Sequence, residues 1–299
     1  MKAAQVVRYR EPVELVEVPE PTVTGPLDVV VRVAGAGICR TDLHILQGEL
    51  EAAFHPELPY TLGHENAGWI EEVGSAVTHV APGDPVIVHP AITCGFCAAC
   101  RAGNDMHCPT WRFPGVDGWN GGYAELLKTS ARSVVKLAPG IDPADVAPHA
   151  DAGLTAIHAI KRLAPFTAPG STVVVIGAGG LGHLAIQLLR VLTTARVVVV
   201  EKTPERAEFA ASFGPDAVFE AGSDAGLLAV LDDTGGGAEA VLDLVGEGDV
   251  PAFAMRMLRK GGVYSIVGYG GGVQIEHLDM INRELTILGN EIGSYTDLV

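Results

Sequence analysis

The stretch Val173–Gln187, VVVIGAGGLGHLAIQ, decides the fold of the second half of this chain. Four apolar residues suited to a buried strand run straight into Gly177, Gly179 and Gly182, the spacing G-x-G-x-x-G, and an amphipathic run of helical period follows. A glycine-rich turn has a bland reading on its own, but here the context is right on both sides. The first two glycines permit a tight turn and close approach of backbone to a pyrophosphate, and a helix expected to start at about Gly180 offers that charge its unpaired N–H groups. Gly177, Gly179, Gly180, Leu181 and Gly182 are therefore candidate dinucleotide contacts. The next strand-like run, ARVVVVE, ends in Glu201, nineteen residues beyond Gly182. A carboxylate there accepts from the adenosine ribose hydroxyls and repels a 2′-phosphate, which selects NAD over NADP. Lys202 and Arg206 stand close enough in sequence to soften that repulsion.

Outward from this motif the chain reads as two halves. Beyond about residue 152 the runs STVVVIG, ARVVVVE, DAVFEAG, AEAVLDLVG and GVYSIVG are short apolar strands separated by segments long enough for helices. That rhythm predicts βαβ units around a buried parallel sheet. Before about residue 150 the chain is broken every eight to twelve residues by Pro, Gly or Asp, with alternating stretches such as Val29–Val33 and Val86–Val88 between. This predicts a small all-β barrel or sandwich. The expected class is α/β, with a β domain over 1–151, a dinucleotide-binding domain over 152–290, and 291–299 beginning a return to the first.

The chain has 299 residues, long enough for two cores. Its 20 Lys and Arg against 36 Asp and Glu leave a net charge of −16, which repels phosphate backbones and anionic lipid heads. No nucleic acid and no membrane partner is expected. The start, MKAAQVVRYREPVELVEVPEP, reads as strand and turn without the apolar core of a signal peptide, so a cytoplasmic location is expected.

Four of the five cysteines fall in CGFCAACRAGNDMHC, at Cys94, Cys97, Cys100 and Cys108. Neighbours that close in sequence rarely reach disulfide geometry, whereas short bites plus one longer return suit a tetrahedral four-thiolate zinc. The x7 gap does not match the usual iron–sulfur runs. A closed shell leaves no place for substrate, so this lobe, about 90–110, is structural. The fifth cysteine stands in GICRTDLH at Cys39. His64 and Glu65 follow in GHENAGWIEEVGSAV, and Asp151 stands in PHADAGLTAIHAI. One thiolate, one imidazole and one carboxylate from separated segments suit a zinc with an open fourth position. By spacing alone a lone Cys39 after a strand is more often a small buried residue, and Asp151 ahead of AGLTAIHAI can simply cap the helix.

GHENAGWIEEVGSAV matches G-H-E-x-x-G-x5-G-x2-V at every fixed position, and GICRTDLH and the four-cysteine lobe lie where the medium-chain zinc-dependent alcohol dehydrogenases carry theirs. The chain resembles that family over essentially its whole length. The resemblance implies a GroES-like β-barrel catalytic domain joined to a Rossmann NAD-binding domain. It also implies two zinc ions per subunit, structural on the four clustered cysteines and catalytic on Cys39, His64 and Asp151. Asp151 takes a place where many members use a second cysteine, as in a bacterial subgroup. Glu65 is the runner-up ligand, expected behind the metal. Thr41 and His44 are implied as a proton relay, Asp42 as the acceptor that orients His64, Arg40 as a pyrophosphate contact, Arg206 as lying along the adenine, and Thr155 and Val245 as flanking the nicotinamide.

The implied reaction is hydride transfer between an alcohol and NAD, giving an aldehyde or ketone. Trp111, Phe113 and Trp119 point to an apolar primary, secondary or aryl alcohol. Polyol, threonine or formaldehyde dehydrogenases of the same family are the alternatives, as is a non-catalytic nucleotide-binding subunit. The segment 285–290 resembles the edge through which the family pairs its sheets, which implies a homodimer or homotetramer. Family members usually continue past a segment like ELTILGNEIGSYTDLV, so the closing strands and helix of the return are expected to be missing after Val299.

Overall fold

A computed structural model describes all 299 residues, and the chain divides into two compact units, Met1–Leu154 with Ser294–Val299, and Thr155–Gly293. No helix is long and apolar enough to cross a membrane.

The first unit is built on antiparallel strands. β1 (Lys2–Val6) pairs with β2 (Glu14–Glu17) on one side and with β4 (Tyr60–Thr61) on the other. A second sheet runs in the order β7-β3-β5-β6-β8, formed by β3 (Asp28–Gly37), β5 (Glu65–Val73), β6 (Pro85–Val88), β7 (Leu126–Ser130) and β8 (Val134–Lys136). Alternation at Val86–Val88 predicts one covered face, but all three residues are buried. The reason is a core on each side: Val86 and Val88 pack with Val29, Val31 and Val134, while Ile87 packs outward on Ala147 and Ala150. Helices in this unit are short: α1 (Arg40–Leu46), α2 (Glu51–Phe54), α3 (Ala98–Arg101) and α4 (Pro143–Val146). After a 3-10 turn over Ala147–Ala150 comes α5 (Ala152–Arg162), within which the unit boundary falls.

The second unit holds six parallel strands: β9 (Thr172–Ile176), β10 (Arg196–Glu201), β11 (Ala217–Glu220), β12 (Ala238–Asp243), β13 (Leu258–Ile266) and β14 (Thr286–Gly289). Their order is β11-β10-β9-β12-β13-β14, which is the doubly wound pattern with its switch point between β9 and β12. The connections are α6 (Gly182–Leu192), α7 (Pro204–Ala211), α8 (Asp224–Asp233), α9 (Val250–Arg256) and α10 (His277–Arg283). Two cores sandwich the sheet, so that Val173 and Val175 face one and Val174 and Ile176 the other. This is why the strands read as continuous rather than alternating apolar runs. In α6 the buried positions are Gly182, Ala185, Ile186 and Leu189, one stripe of helical period. The helix begins at Gly182 rather than at Gly180, because the glycine turn occupies two further residues before the first helical one. The last helix, α11 (Tyr295–Leu298), belongs to the first unit, where the Tyr295 N–H donates to Asp105 at 3.0 Å.

Candidate active site and metal centres

Cys39 follows the end of β3 and caps α1. Its sulfur accepts the Thr41 N–H at 3.5 Å, and Asp42, three residues on, returns a carboxylate oxygen to the Cys39 N–H at 2.9 Å. This is a capping box with a thiol in the place of a hydroxyl, and it fixes the direction of the Cys39 side chain. His64 stands immediately before β5 and is fully buried. Asp151 ends the 3-10 turn ahead of α5 and is also buried. Ligand atoms of these three residues lie within 4.8 Å of one another. His64 Nε2 stands 3.5 Å from Asp151 Oδ2, and Cys39 Sγ stands 3.8 Å from the same oxygen. Tetrahedral zinc bonds of ordinary length set these edges at about 3.4 and about 3.5 Å, so the donors fit that ion.

Charge at this site is dense for a buried place. Burial pulls the His64 imidazole toward its neutral form, but hydrogen bonding to Asp151, Asp42 and Cys39 outweighs it and holds the ring well above its ordinary range. Glu65 is pushed up to about 7, first by burial and then by the charge of Asp151. Its carboxylate packs on Gly37, where a Cβ would stand 2.0 Å from Oε2, and takes the N–H of Ala152 at the head of α5. Asp42 Oδ1 stands 3.4 Å from His64 Nδ1, and neither of these buried atoms has any other partner. Apolar rings pack beside the donors, with the Phe113 ring edge-on to His64 at 5.6 Å and Trp111 tilted on Phe113 at 5.5 Å. Trp119 is 53 % exposed and lies under the Arg112 guanidinium instead.

Thr41 and His44 are two and five residues beyond Cys39 on α1. His44 is buried, and its Nδ1 is in contact with the exposed Glu49 carboxylate. Arg40 opens the same helix.

The sulfurs of Cys94, Cys97, Cys100 and Cys108 also lie within 4.8 Å of one another, with Cys94 and Cys100 at 4.0 Å. Zinc–sulfur bonds of about 2.3 Å in a tetrahedron set sulfurs about 3.8 Å apart. Backbone N–H groups of Phe96 and Cys97 point at Cys94 Sγ, that of Cys100 at Cys97 Sγ, and that of Cys94 at Cys108 Sγ, each at 3.4 Å. Such donors favour thiolates, and those of Phe96 and Cys97 hold the Cys94 thiol below its ordinary range.

The glycine turn, Glu201 and Val245, expected from the sequence to meet the cofactor, stand at or just beyond the ends of β9, β10 and β12. Gly177 has φ +88°, and a Cβ there would meet Val245 Cγ2 at 2.5 Å. At Gly182 a Cβ would stand 1.9 Å from the Gly177 carbonyl oxygen, so only glycine lets α6 close on the turn. At Gly179 and Gly180 a Cβ would meet nothing within 4 Å, which leaves an open backbone face beside Leu181, the N-cap of α6. These features fit a dinucleotide phosphate. Glu201 ends β10 with both carboxylate oxygens engaged, taking the Ala178 N–H and the Lys202 N–H at 2.7 Å each. Besides its expected place at the ribose, Glu201 ties the glycine turn to β10. Arg206 lies in the first turn of α7, whose N-cap Thr203 accepts its N–H. Thr155 is buried in α5.

Two contributors escaped the sequence reading. Tyr123 donates toward Asp42 Oδ2 at 2.8 Å, and Asp243 takes the N–H groups of Val245 and Gly246 on one oxygen and the Tyr264 hydroxyl on the other. Both are single residues outside any motif. For Tyr123 the paired Gly121–Gly122 before it was the available signal of close backbone approach.

With this geometry in place, comparison with known proteins gives the family. The profile of the alcohol dehydrogenase GroES-like domain matches residues 25–139, and that of the zinc-binding dehydrogenases matches 180–298. The chain belongs to the medium-chain, zinc-binding alcohol dehydrogenase family, and zinc and a nicotinamide cofactor go with that membership. The crystal structure of the alcohol dehydrogenase from the hyperthermophilic archaeon Aeropyrum pernix is 43% identical, with a TM-score of 0.95 over 100% of this chain and 87% of that one. An alcohol dehydrogenase of Geobacillus stearothermophilus is 33% identical over 100% of this chain and 87% of its own length. A protein of Saccharolobus solfataricus named D-arabinose 1-dehydrogenase (NADP(+)) is 36% identical over 99% and 85%.

Proposed function

We propose that this protein is an alcohol dehydrogenase that uses NAD, with a catalytic zinc on Cys39, His64 and Asp151 and a structural zinc on Cys94, Cys97, Cys100 and Cys108. The observation that carries the reading is the convergence of three unlike donors, from segments far apart in the chain, within 4.8 Å of one another. When bound, zinc supplies a Lewis acid that acidifies an alcohol hydroxyl, and the nicotinamide supplies the hydride acceptor.

The remaining work falls to the chain. Cys39 and Asp151 bring two negative charges and His64 a neutral donor, so a divalent ion is neutralised without closing its shell. Phe113 covers His64 and keeps water from that side. Thr41 Oγ1 would take the proton that leaves the substrate as it gives up its own, which would pass by way of the nicotinamide ribose to His44, whose Nδ1 is in contact with the exposed Glu49 carboxylate. The open face at Gly179 and Gly180 takes the pyrophosphate, Glu201 takes the ribose, Arg206 lies along the adenine, and Thr155 and Val245 flank the nicotinamide. The buried negative charge of Glu201 supports NAD over NADP, although the Saccharolobus solfataricus relative carries NADP in its name. Phe113 and Trp111 favour an apolar primary, secondary or aryl alcohol. The second reading, a sugar or polyol substrate, is favoured by that same relative, a D-arabinose dehydrogenase. β14 is an edge strand of the parallel sheet, and pairing of two such edges would make a dimer.

NADH formation from a panel of primary, secondary and aryl alcohols and of aldoses, run on zinc-loaded protein with its metal counted, tests the reading. Turnover with an alcohol and two zinc ions per chain is expected. No turnover with any of them by a chain that holds both ions would overturn it.

A further inference from the structure

The loops that carry Cys39 and His64 are separate in sequence, and each must be held still to better than about half an ångström for a metal to find both donors. One side chain touches both. Tyr123 follows Gly121 and Gly122, and a Cβ on either would run into neighbouring atoms, on Gly63 carbonyl oxygen at 2.2 Å or on Asn66 Oδ1 at 1.8 Å. These glycines let the chain lie against the His64 segment. Tyr123 itself donates its N–H to Leu62 and accepts the Ala4 N–H on its carbonyl, at 2.9 and 2.7 Å. Its ring covers Gly63, where a Cβ would stand 2.4 Å from the ring edge, so the residue immediately before His64 is in direct contact with it.

The hydroxyl reaches the other loop. It lies 2.9 Å from the Gly37 carbonyl oxygen and 2.8 Å from Asp42 Oδ2, one on each side of Cys39. A phenol has one proton to give, and the carboxylate is the stronger acceptor. Asp42 Oδ2 then takes both the Tyr123 hydroxyl and the Cys39 N–H. With that oxygen tethered twice, Oδ1 is left facing His64 Nδ1 at 3.4 Å, and neither of these buried atoms has another partner. A proton on Nδ1 between them leaves Nε2, on the Asp151 side, with its lone pair free for an ion.

We propose that Tyr123 is a positioning residue for the metal centre, whose hydroxyl holds Asp42 so that Oδ1 faces His64 Nδ1 and the Nε2 lone pair is presented to the ion. This rests on the zinc-site reading above. It adds to that reading a residue on neither metal-binding loop, acting through Asp42.

The test uses the full chain and Tyr123→Phe, which keeps the ring on Gly63 and removes only the hydroxyl. Zinc affinity at both centres is measured by competition with a chromophoric chelator, the four-cysteine centre serving as internal control. Tyr123→Phe is expected to weaken the Cys39–His64–Asp151 zinc roughly tenfold, as loss of an outer partner of a zinc-bound histidine does, and to leave the other zinc unchanged. In an Asp42→Asn background the same change is expected to cost almost nothing, because the group it acts through has already been altered. Unchanged affinity in Tyr123→Phe would overturn the proposal. So would equal weakening of both zincs, which marks general loosening, or a full loss in the Asp42→Asn background. A wild-type chain that binds one zinc, or His64→Ala that still binds two, would instead remove the zinc-site reading.

Discussion

At the scale of single residues the proposed site rests on close contacts between buried groups. If the proposed centre is right, Asp151→Ala would take away one of its three ligands and one of its two negative charges, so turnover is expected to fall by at least about a thousandfold and bound zinc to drop from two ions to one. Full activity in that variant would take Asp151 off the metal. Gly182→Ala sets a methyl 1.9 Å from the Gly177 carbonyl oxygen. Either the turn or α6 must shift, and NAD binding, read by titration calorimetry, is expected to weaken by at least about tenfold. Glu201 has two duties, since it holds the Ala178 N–H of the glycine turn as well as presenting a charge. Glu201→Ala is therefore expected to weaken NAD binding and, at the same time, to lower the ratio of NAD to NADP affinity. An unchanged ratio would show that discrimination lies elsewhere.

At the scale of elements, the cysteine lobe and the strand ends behave differently. The lobe over residues 94–108 contains one four-residue α-helix and one 3-10 turn, with Met106 and Cys108 among its few buried residues. Metal binding contributes on the order of 10 kcal/mol to the local folding of such a loop. Cys97→Ala is expected to lose that zinc and lower the melting temperature, while the ligands of the other centre stay in place. The start of β3 is held by charge. Asp28 Oδ2 accepts from the Thr24 N–H and hydroxyl, the Gly25 N–H and the Lys128 ammonium. Burial alone would raise this carboxyl, and the Lys128 ammonium and the three Thr24 and Gly25 donors more than reverse it, holding it well below the usual range. A carboxyl depressed in the folded state stabilises the fold above its unfolded value of about 4 and gives that up as the pH falls toward the folded value. Lys128→Met is expected to cost on the order of 1 kcal/mol at pH 7, the pair being partly exposed, and to flatten the loss of stability below pH 4 in thermal melts. An unchanged acid limb would rule this pair out as its source.

For the whole molecule, the parallel sheet was legible because its strands are buried on both faces and so appear as Val-rich runs, each followed by glycine or an acidic residue. The four-cysteine lobe was legible because its ligands are neighbours in the chain. The β unit was harder: Val86–Val88 reads as an alternating strand, yet Ile87 is covered by Ala147 and Ala150, which lie about sixty residues away. The edge position of β14 leads to an assembly prediction. Sedimentation of the purified chain is expected to give the mass of a dimer or of a tetramer, and Ile287→Pro, which removes a ladder donor from β14, is expected to shift it to the monomer. A wild-type monomer at micromolar concentration would count against pairing through this strand.

Patterns local in the chain needed only the sequence: the glycine turn, the acidic end of β10, and the thiol spacing of the lobe all follow from periodicity and short-range sterics. The three donors at Cys39, His64 and Asp151 were ambiguous there, since a buried cysteine and a helix-capping aspartate look the same in a string of letters. Tertiary structure decided that they share one place, because only packing of β3, β5 and the turn before α5 brings their side chains within 4.8 Å. It also decided what Tyr123 does, since a hydroxyl's partner is a matter of which segments the fold sets side by side, and those lie more than eighty residues up the chain.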